Sequence, residues 1–532
     1  MLSTAFFYAD DWRNLNTIFS SASFLGKIFY PHNGHLSFLQ NLIFSLNLWI
    51  TKGSTFALAL FNLLITITSA FTIYKVAHLQ FRTQHEHVKA KIYATLCAAP
   101  IFWIYNSVSI YWSVPHLVLL GAILVAYSLS SILKRNNNIL FLSGLFISVF
   151  SHGSGLVVLF FPCLKHLITK LNLRLFLKNT LWAFAGVLIY ELFGNNSIRA
   201  SLDLNIINAL ISAPLFLGAP LGIMQLVLTS SSNYFFSSLF IGIVGVIIYF
   251  FFLIRVFKEY RQNREDPFGL FFILIGLFSV MNGILIYIVR SEGNLDILLK
   301  GQYFSLSLLF WISLFSLGLR NLIQIGPNIL RDIIVAFVFL ILFLINTSRI
   351  DLRLPLYNQN IMGTLDIIVS PDKSGNERFL VQPNSKDNSL RELVMQTNES
   401  LKFKKLGIYE QNWPNNLGKV LTDVHNIYDS QYQSKVIIEG KIVDHTFEVN
   451  LESNHSFFSR PKTILIVQNN IIQGFGLRMA EESKGIISKF LPHLNFPLFS
   501  DNYYCQMSKT TDIGDINGLS FYALSGNACY EL

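Results

Sequence analysis

A chain of 532 residues that is 52% hydrophobic and 13% charged, with a mean hydropathy of +0.47, is too apolar for a soluble globular protein, in which about a quarter of residues are charged. The net charge of +9 does not point to nucleic acid, because the excess Lys and Arg lies in short loops between apolar segments and no basic run is interleaved with aromatics. Composition therefore predicts a polytopic membrane protein with the lipid bilayer, and no nucleic acid, as partner; the 48 Phe residues suit lipid-facing and interfacial surfaces.

In chain order, residues 1–8 are apolar but shorter than the about 20 residues that span a bilayer, and they lack the basic start and cleavage site of a signal peptide. They read as the stump of a first transmembrane helix whose true start lies upstream, or as a short interfacial anchor. Ala9-Asp10-Asp11-Trp12 follows, and then Pro31-His32-Asn33-Gly34-His35. Beyond it Leu36, Leu39, Ile43, Leu46 and Ile50 recur at helical spacing, with Ser37, Gln40, Asn41 and Asn47 between them, which predicts a helix lying in the membrane interface. Residues 1–53 are thus expected to be an outer loop carrying an interfacial helix.

Residues 54–348 are expected to form a transmembrane bundle of about ten spans, at 54–78, 91–105, 115–132, 139–150, 153–167, 180–193, 234–255, 268–289, 303–319 and 333–346. One set of loops carries Arg82, Lys89 and Lys91, then Lys134 and Arg135, then Lys165, Lys170, Arg174 and Lys178, then Arg255, Lys258, Arg261 and Arg264, then Arg320 and Arg331; these are cytoplasmic by the positive-inside rule. The Asp10-Asp11 loop and the C-terminal region then face outward. The alternation holds only if 206–228, which contains Pro214, Gly218, Pro220 and Gly222, does not cross, so a kinked, re-entrant or double-short-helix segment is expected there.

After residue 346 the chain turns polar. Short apolar runs at 364–369, 436–438, 446–449 and 463–467, punctuated by Pro, Gly and Asn, predict a soluble, mostly β domain over 349–532, sandwich-like, with one helix around 477–490. No catalytic motif stands out in it. Cys97 and Cys163 lie in apolar segments as small hydrophobes, whereas Cys505 and Cys529 are either a disulfide pair or two free thiols. No CxxC or HExxH spacing signals a metal, so no cofactor is required by the sequence and a divalent ion is left open.

The Asp-Asp-Trp loop, the His-Asn-x-His element before an apolar helix, the many spans and the outward C-terminal domain together resemble the C-type (GT-C) polytopic membrane glycosyltransferases, among them bacterial members with an Asp-Asp-Trp first outer loop. The residues that carry the resemblance are Asp10, Asp11, Trp12, His32, Asn33 and His35, extended by Arg290 and by Lys300-Gly301-Gln302-Tyr303 before a late span. Gln302 stands where such proteins often carry Arg, and the first helix is missing. The resemblance implies a mainly α, GT-C-like bundle in a bacterial inner membrane with a periplasmic β-rich domain. It also implies transfer of a sugar from a polyprenyl-phosphate donor to a glycolipid or surface polysaccharide.

That chemistry needs a carboxylate base for the acceptor hydroxyl, which nominates Asp10 or Asp11, and two adjacent carboxylates that share a proton shift one of the pair toward a useful range. Arg290 and Lys300 are the candidate cations for the leaving phosphate, with interfacial snorkelling the alternative. His32, Asn33 and His35 are candidate contacts to phosphate or hydroxyls. Trp12, Tyr111, Trp112 and Tyr303 are candidate aromatic contacts, as an interfacial aromatic belt also predicts. His116 and His152 sit at helix ends and discriminate poorly. Two rivals from other classes stay open: a transporter or flippase for a lipid-linked glycan, and a non-catalytic envelope assembly protein that binds partners through its C-terminal domain.

Overall fold

The computed structural model describes residues 10–20, 23–30, 36–83, 87–106, 113–130, 138–169, 172–193, 205–229, 234–290, 295–299, 303–324, 350–369, 388–410, 413–421, 426–428, 434–443, 446–453, 463–482, 497–507, 519–525 and 528–531. The chain divides into two compact units, one made of Met1–Ala22, Phe44–Ala57 and Thr347–Leu532, the other of Ser23–Ile43 and Leu58–Asn346. The stretch 1–53, read in sequence as one outer loop, is therefore shared between them.

The helices are α1 (Asp10–Ser20), α2 (Phe24–Phe29), α3 (Phe38–Thr51), α4 (Thr55–Arg82), α5 (His87–Ala98), α6 (Ser113–Leu129), α7 (Asn138–Val149), α8 (Phe161–Ile168), α9 (Leu173–Phe193) and α10 (Ile206–Thr229). They continue with α11 (Tyr234–Arg261), α12 (Pro267–Arg290), α13 (Phe304–Gln324), α14 (Ile350–Val369) and α15 (Asn388–Lys404). Among the described residues five helical stretches are long and apolar enough to cross a membrane: Thr55–Arg82, Leu173–Leu192, Tyr234–Arg261, Pro267–Val289 and Phe304–Ile323. Other expected spans are shorter or broken. α5 gives way to a 3-10 helix at Ala99–Asn106, and Gly153–Phe160 is 3-10 before α8 begins. With 12 residues α7 is about 18 Å long, well short of the about 30 Å hydrocarbon layer. The expected span 333–346 lies outside the described residues.

The 206–228 segment is one helix, α10, with Pro214 and Pro220 inside it. Trp311 Nε1 donates to the Leu217 carbonyl at 2.8 Å and the Tyr234 hydroxyl to the Ala219 carbonyl at 3.0 Å, so side chains supply extra donors around the second proline. α10 packs on α11 with the backbones almost touching. A Cβ at Gly218 would come within 1.7 Å of the Ser238 carbonyl oxygen, and one at Gly242 within 1.7 Å of the Pro214 carbonyl oxygen. Only glycine permits that approach.

The core of this unit is built on α12 and α13, where Leu270 to Ile275 is an uninterrupted buried apolar run and Leu309, Phe310 and Ile312 are wholly buried. Asp266 ties the two helices together. It caps α12 by accepting from the Gly269 amide at 2.8 Å, and it accepts twice from Arg320 Nη1 of α13, at 2.8 and 2.6 Å. The Arg320 guanidinium also lies 5.2 Å from the Phe268 ring centroid. The charge assigned to a cytoplasmic loop in the sequence is thus a buried structural ion pair.

Several helices expose rows of apolar side chains while burying polar ones among their apolar core residues. On α4 the buried row includes Asn62, Thr66, Ser69 and Thr72, while Phe56, Leu60, Leu64, Ile67 and Phe71 are exposed. On α3 Ser37 just before it and then Gln40, Asn41 and Asn47 are buried, while Leu46, Trp49 and Ile50 are exposed. α9 exposes Leu181, Trp182, Leu188 and Leu192.

In the other unit the strands are β1 (Asn426–Tyr428), β2 (Ser434–Val443), β3 (Thr446–Ser453), β4 (Thr463–Gln468), β5 (Ile471–Glu482), β6 (Pro497–Met507), β7 (Leu519–Ser525) and β8 (Ala528–Glu531). Among the described residues they form one eight-stranded sheet in the order β1-β8-β7-β4-β5-β6-β3-β2, curled into a half-barrel, with every pairing antiparallel except β1 with β8. The runs at 436–438, 446–449 and 463–467 are strands as expected, but they share a single sheet rather than a sandwich. Asn469 and Asn470, with φ of 52° and 62°, close the β4–β5 hairpin, since asparagine tolerates the left-handed conformation that a two-residue turn needs.

Two local expectations are corrected, and an alternative left open by the sequence is decided. The expected helix at 477–490 begins instead in β5, which runs to Glu482; Gly474 to Arg478 are buried on both faces, which erases the period-two signal. The apolar run 364–369 ends α14, which packs on β5 and β6, because a run of that length fits either element and here continues a helix. Cys505 is a free, buried thiol on β6, four ladder steps from the β8 strand that carries Cys529, so it is not half of a disulfide.

Candidate functional site

The acidic pair opens a helix. Asp10 is the first residue of α1 and Asp11 the second. Farther along, Trp12, Asn14, Leu15 and Ile18 are buried, with Trp12 at 1% exposure. The row 11–15–18 has the i, i+4, i+7 spacing of one helical face, so position 11 starts the row whose later members are buried, whereas position 10 lies off it. The other face of the helix is wetter, ending in an exposed Ser20. α1 packs on α15 within its unit, and Lys404 Nζ sits 5.3 Å from the Phe19 ring centroid. On α15 the facing row is Val394, Thr397, Asn398 and Leu401, all buried. Asn398 Oδ1 accepts from the Tyr409 hydroxyl at 2.9 Å, and burial pushes that phenol above its usual range. The Asp pair is therefore the first turn of an element fixed by packing. Trp12, expected to stack on a sugar, contributes its ring to that packing instead.

His32, Asn33 and His35 lie outside the described residues, as do Lys300, Tyr111 and Trp112. Both flanks of 31–35 are pinned within the other unit. Asn41 Nδ2 donates to the carbonyls of Ile28 at 3.1 Å and Tyr30 at 2.9 Å, holding the end of α2, and the Tyr190 hydroxyl of α9 accepts from the Leu36 amide at 3.0 Å. The Leu39 amide donates to the Phe150 carbonyl at 3.0 Å, and Phe29, Phe38, Phe146 and Phe150 form a connected aromatic cluster beside it. The buried Asn41 of α3 thus holds the chain at the end of α2, a role the interfacial-helix reading missed. Glu191 follows Tyr190 on α9.

Arg290 is the last residue of α12. Tyr303, expected to contact substrate, is 5% exposed and belongs to the apolar core. Trp12 belongs to one compact unit and Arg290 and Tyr303 to the other, so the sequence-predicted residues are not gathered within a single unit.

A polar contact that lone-residue reasoning discounted lies between α4 and α6. Thr66 Oγ1 is 2.9 Å from His116 Nδ1, with His116 2% exposed, and Thr66 Oγ1 also donates to the Asn62 carbonyl at 2.9 Å. The signal available in the sequence was the spacing of Asn62, Thr66 and Ser69, one polar face inside an apolar helix. His152 plays a structural part, since its Nδ1 accepts from the Ser154 amide at 3.1 Å and caps the 3-10 helix at Gly153–Phe160. Among the described residues, no three His, Cys, Asp or Glu side chains converge as metal ligands. No family model, curated protein or solved structure matches the chain.

Proposed function

We propose that the chain is a polytopic membrane protein that catalyses glycosyl transfer, with Asp11 as the general base. The membrane reading draws on the exposed apolar rows of α3, α4 and α9, which a bilayer accommodates and water disfavours. The observation that carries the catalytic reading is the position of the Asp pair in the first turn of the packed helix α1, with residue 11 on the row of Leu15 and Ile18. A base needs such fixity, since proton transfer requires a carboxylate within hydrogen-bond reach of the reacting hydroxyl.

In the proposed reaction the carboxylate removes the proton of an acceptor hydroxyl as that oxygen attacks the anomeric carbon. The bond from that carbon to the phosphate oxygen breaks, polyprenyl phosphate leaves with the electron pair, and the configuration inverts. The resemblance nominates Arg290 and Lys300 for the departing phosphate and His32, Asn33 and His35 for sugar hydroxyls. The site faces the periplasm of a bacterial inner membrane in this reading, and the acceptor is a glycolipid or surface polysaccharide. Asp11→Asn, assayed by sugar incorporation into surface glycans at matched protein levels with Asp10→Asn beside it, tests it; normal incorporation by Asp11→Asn ends the proposal.

A second reading is supported by the buried row of α4 and its contact with His116, which suits a polar path for a lipid-linked glycan. A flippase predicts that Thr66→Val and His116→Phe block appearance of the lipid-linked glycan on the outer face while both Asp variants remain active.

A further inference from the structure

The C-terminal end of α15 carries an apolar side chain on its polar face. Val394, Thr397, Asn398 and Leu401 are the buried row, and Phe403, two residues beyond Leu401, is on the opposite side and 88% exposed. Among the described residues after 347, the exposed large apolar side chains are Phe403 and Val420, the latter at 37%. The other large apolar side chains that are exposed belong to the apolar helices and their short flanking segments. Phe403 is flanked in sequence by exposed Lys402, Lys404 and Lys405, and exposed Glu399 lies about one turn earlier on the helix.

This end of the helix does not fray. Lys405 adopts φ of 51°, its amide donates to the Lys402 carbonyl at 3.1 Å, and the Leu406 amide donates to the Leu401 carbonyl at 2.9 Å, a closed C-terminal cap. The Lys404 contact with Phe19 joins the cap to α1. The same unit holds a second helix end of the same make-up: α3 exposes Trp49 at 81% and Ile50 at 66%, and stops at exposed Lys52, again with φ of 51°.

We infer that Lys402-Phe403-Lys404-Lys405 is a membrane-surface anchor that inserts the Phe403 ring among lipid headgroups and sets its lysines against anionic lipid phosphates. A single exposed aromatic ring flanked in sequence by lysines complements that surface, since the ring is favoured at the interface and each lysine is attracted by negative lipid charge. A protein partner would ask for a larger apolar area than one ring. Because α15 packs on α1, the anchor would hold the Asp10–Asp11 turn at a fixed height above the bilayer. The inference rests on the membrane reading of the preceding section.

The test uses the full chain with its native cysteines replaced, reconstituted into vesicles of phosphatidylcholine alone or with added phosphatidylglycerol. Nitroxide labels at position 403, at Asn469 in the exposed β4–β5 turn, and at Phe71 on the exposed row of α4 are compared for collision with oxygen and with a water-soluble nickel chelate. The expected result is that the label at 403 is shielded from nickel on anionic vesicles, and that shielding is lost on phosphatidylcholine alone or with Lys402→Gln, Lys404→Gln and Lys405→Gln together. Nickel access at 403 equal to that at 469 on both membranes, with 71 shielded, overturns the anchor and leaves the membrane reading standing. Equal shielding at 403 whatever the lipid or lysine content refutes the anionic-lipid partner. Nickel access at 71 as well removes the membrane reading and the anchor with it.

Discussion

Replacing Arg320 with Leu removes one partner of a nearly dry ion pair. The Arg320 and Asp266 side chains are 6% and 12% exposed, and both Asp266 oxygens accept from Nη1. The variant strands a carboxylate that water can barely reach, and breaking such a pair costs about 3–5 kcal/mol. Asp266 keeps its bond to the Gly269 amide, so the helix cap itself survives. Arg320→Leu combined with Asp266→Ser removes both charges while retaining a capping oxygen, and should recover most of the loss, ending within about 2 kcal/mol of the parent. The assay is reversible unfolding of the detergent-solubilised protein in increasing SDS, read by tryptophan fluorescence, for the parent, both single variants and the pair. A pair of variants that is less stable than Arg320→Leu alone, or a single variant indistinguishable from the parent, refutes the claim that the ion pair locks α12 to α13.

Gly242→Ala should separate α10 from α11, because its methyl would meet the Pro214 carbonyl at 1.7 Å; a loss of about 1–3 kcal/mol or more is expected in the same unfolding assay. Gly318→Ala, whose methyl would find its nearest neighbour at 4.0 Å, should be neutral or slightly stabilising by helix propensity, and serves as its control. Burial, reinforced by the Glu448 carboxylate, pushes the Cys505 thiol well above its usual range, so it stays neutral in the folded protein. The unfolded chain releases that proton first as pH rises. Stability from this group is therefore unaffected below the ordinary thiol range and falls above about pH 9, and maleimide should label Cys505 only after unfolding.

Much of the helical part was legible because long apolar runs read the same in any environment: α4, α11, α12 and α13 fall close to their expected ranges. Short runs did not carry enough length to separate a span from a packed half-helix, as α7 and the 3-10 turn before α8 show. The polarity of α3 was read in the sense usual for an interfacial helix, with its apolar row taken as the defining face. Its polar row instead points inward, since Asn41 must reach the Ile28 and Tyr30 carbonyls while Trp49 and Ile50 are left outside. In the C-terminal region the alternating strands β2 and β3 declared themselves. β5 did not, because a strand buried on both faces loses its alternation, and α14 was hidden by polar residues such as Asn360 and Asp366 that are themselves buried against the sheet side of the unit.

For the site, adjacency of Asp10 and Asp11 was visible in the sequence, but their inequality was not. It follows from helix periodicity, which puts position 11 on the row of Leu15 and Ile18. Thr66 and His116 are 50 residues apart, and no local pattern joins them.

The most direct test of Asp11 as the base compares Asp11→Asn with Asp11→Glu in sugar transfer to the surface glycan, at equal membrane levels of protein. General-base catalysis contributes about 10²- to 10⁴-fold. Asp11→Asn is predicted to lose at least about a hundredfold of the rate, with Asp11→Glu retaining measurable transfer because it keeps a carboxylate. An Asp11→Asn protein that transfers sugar at the parental rate contradicts the assignment.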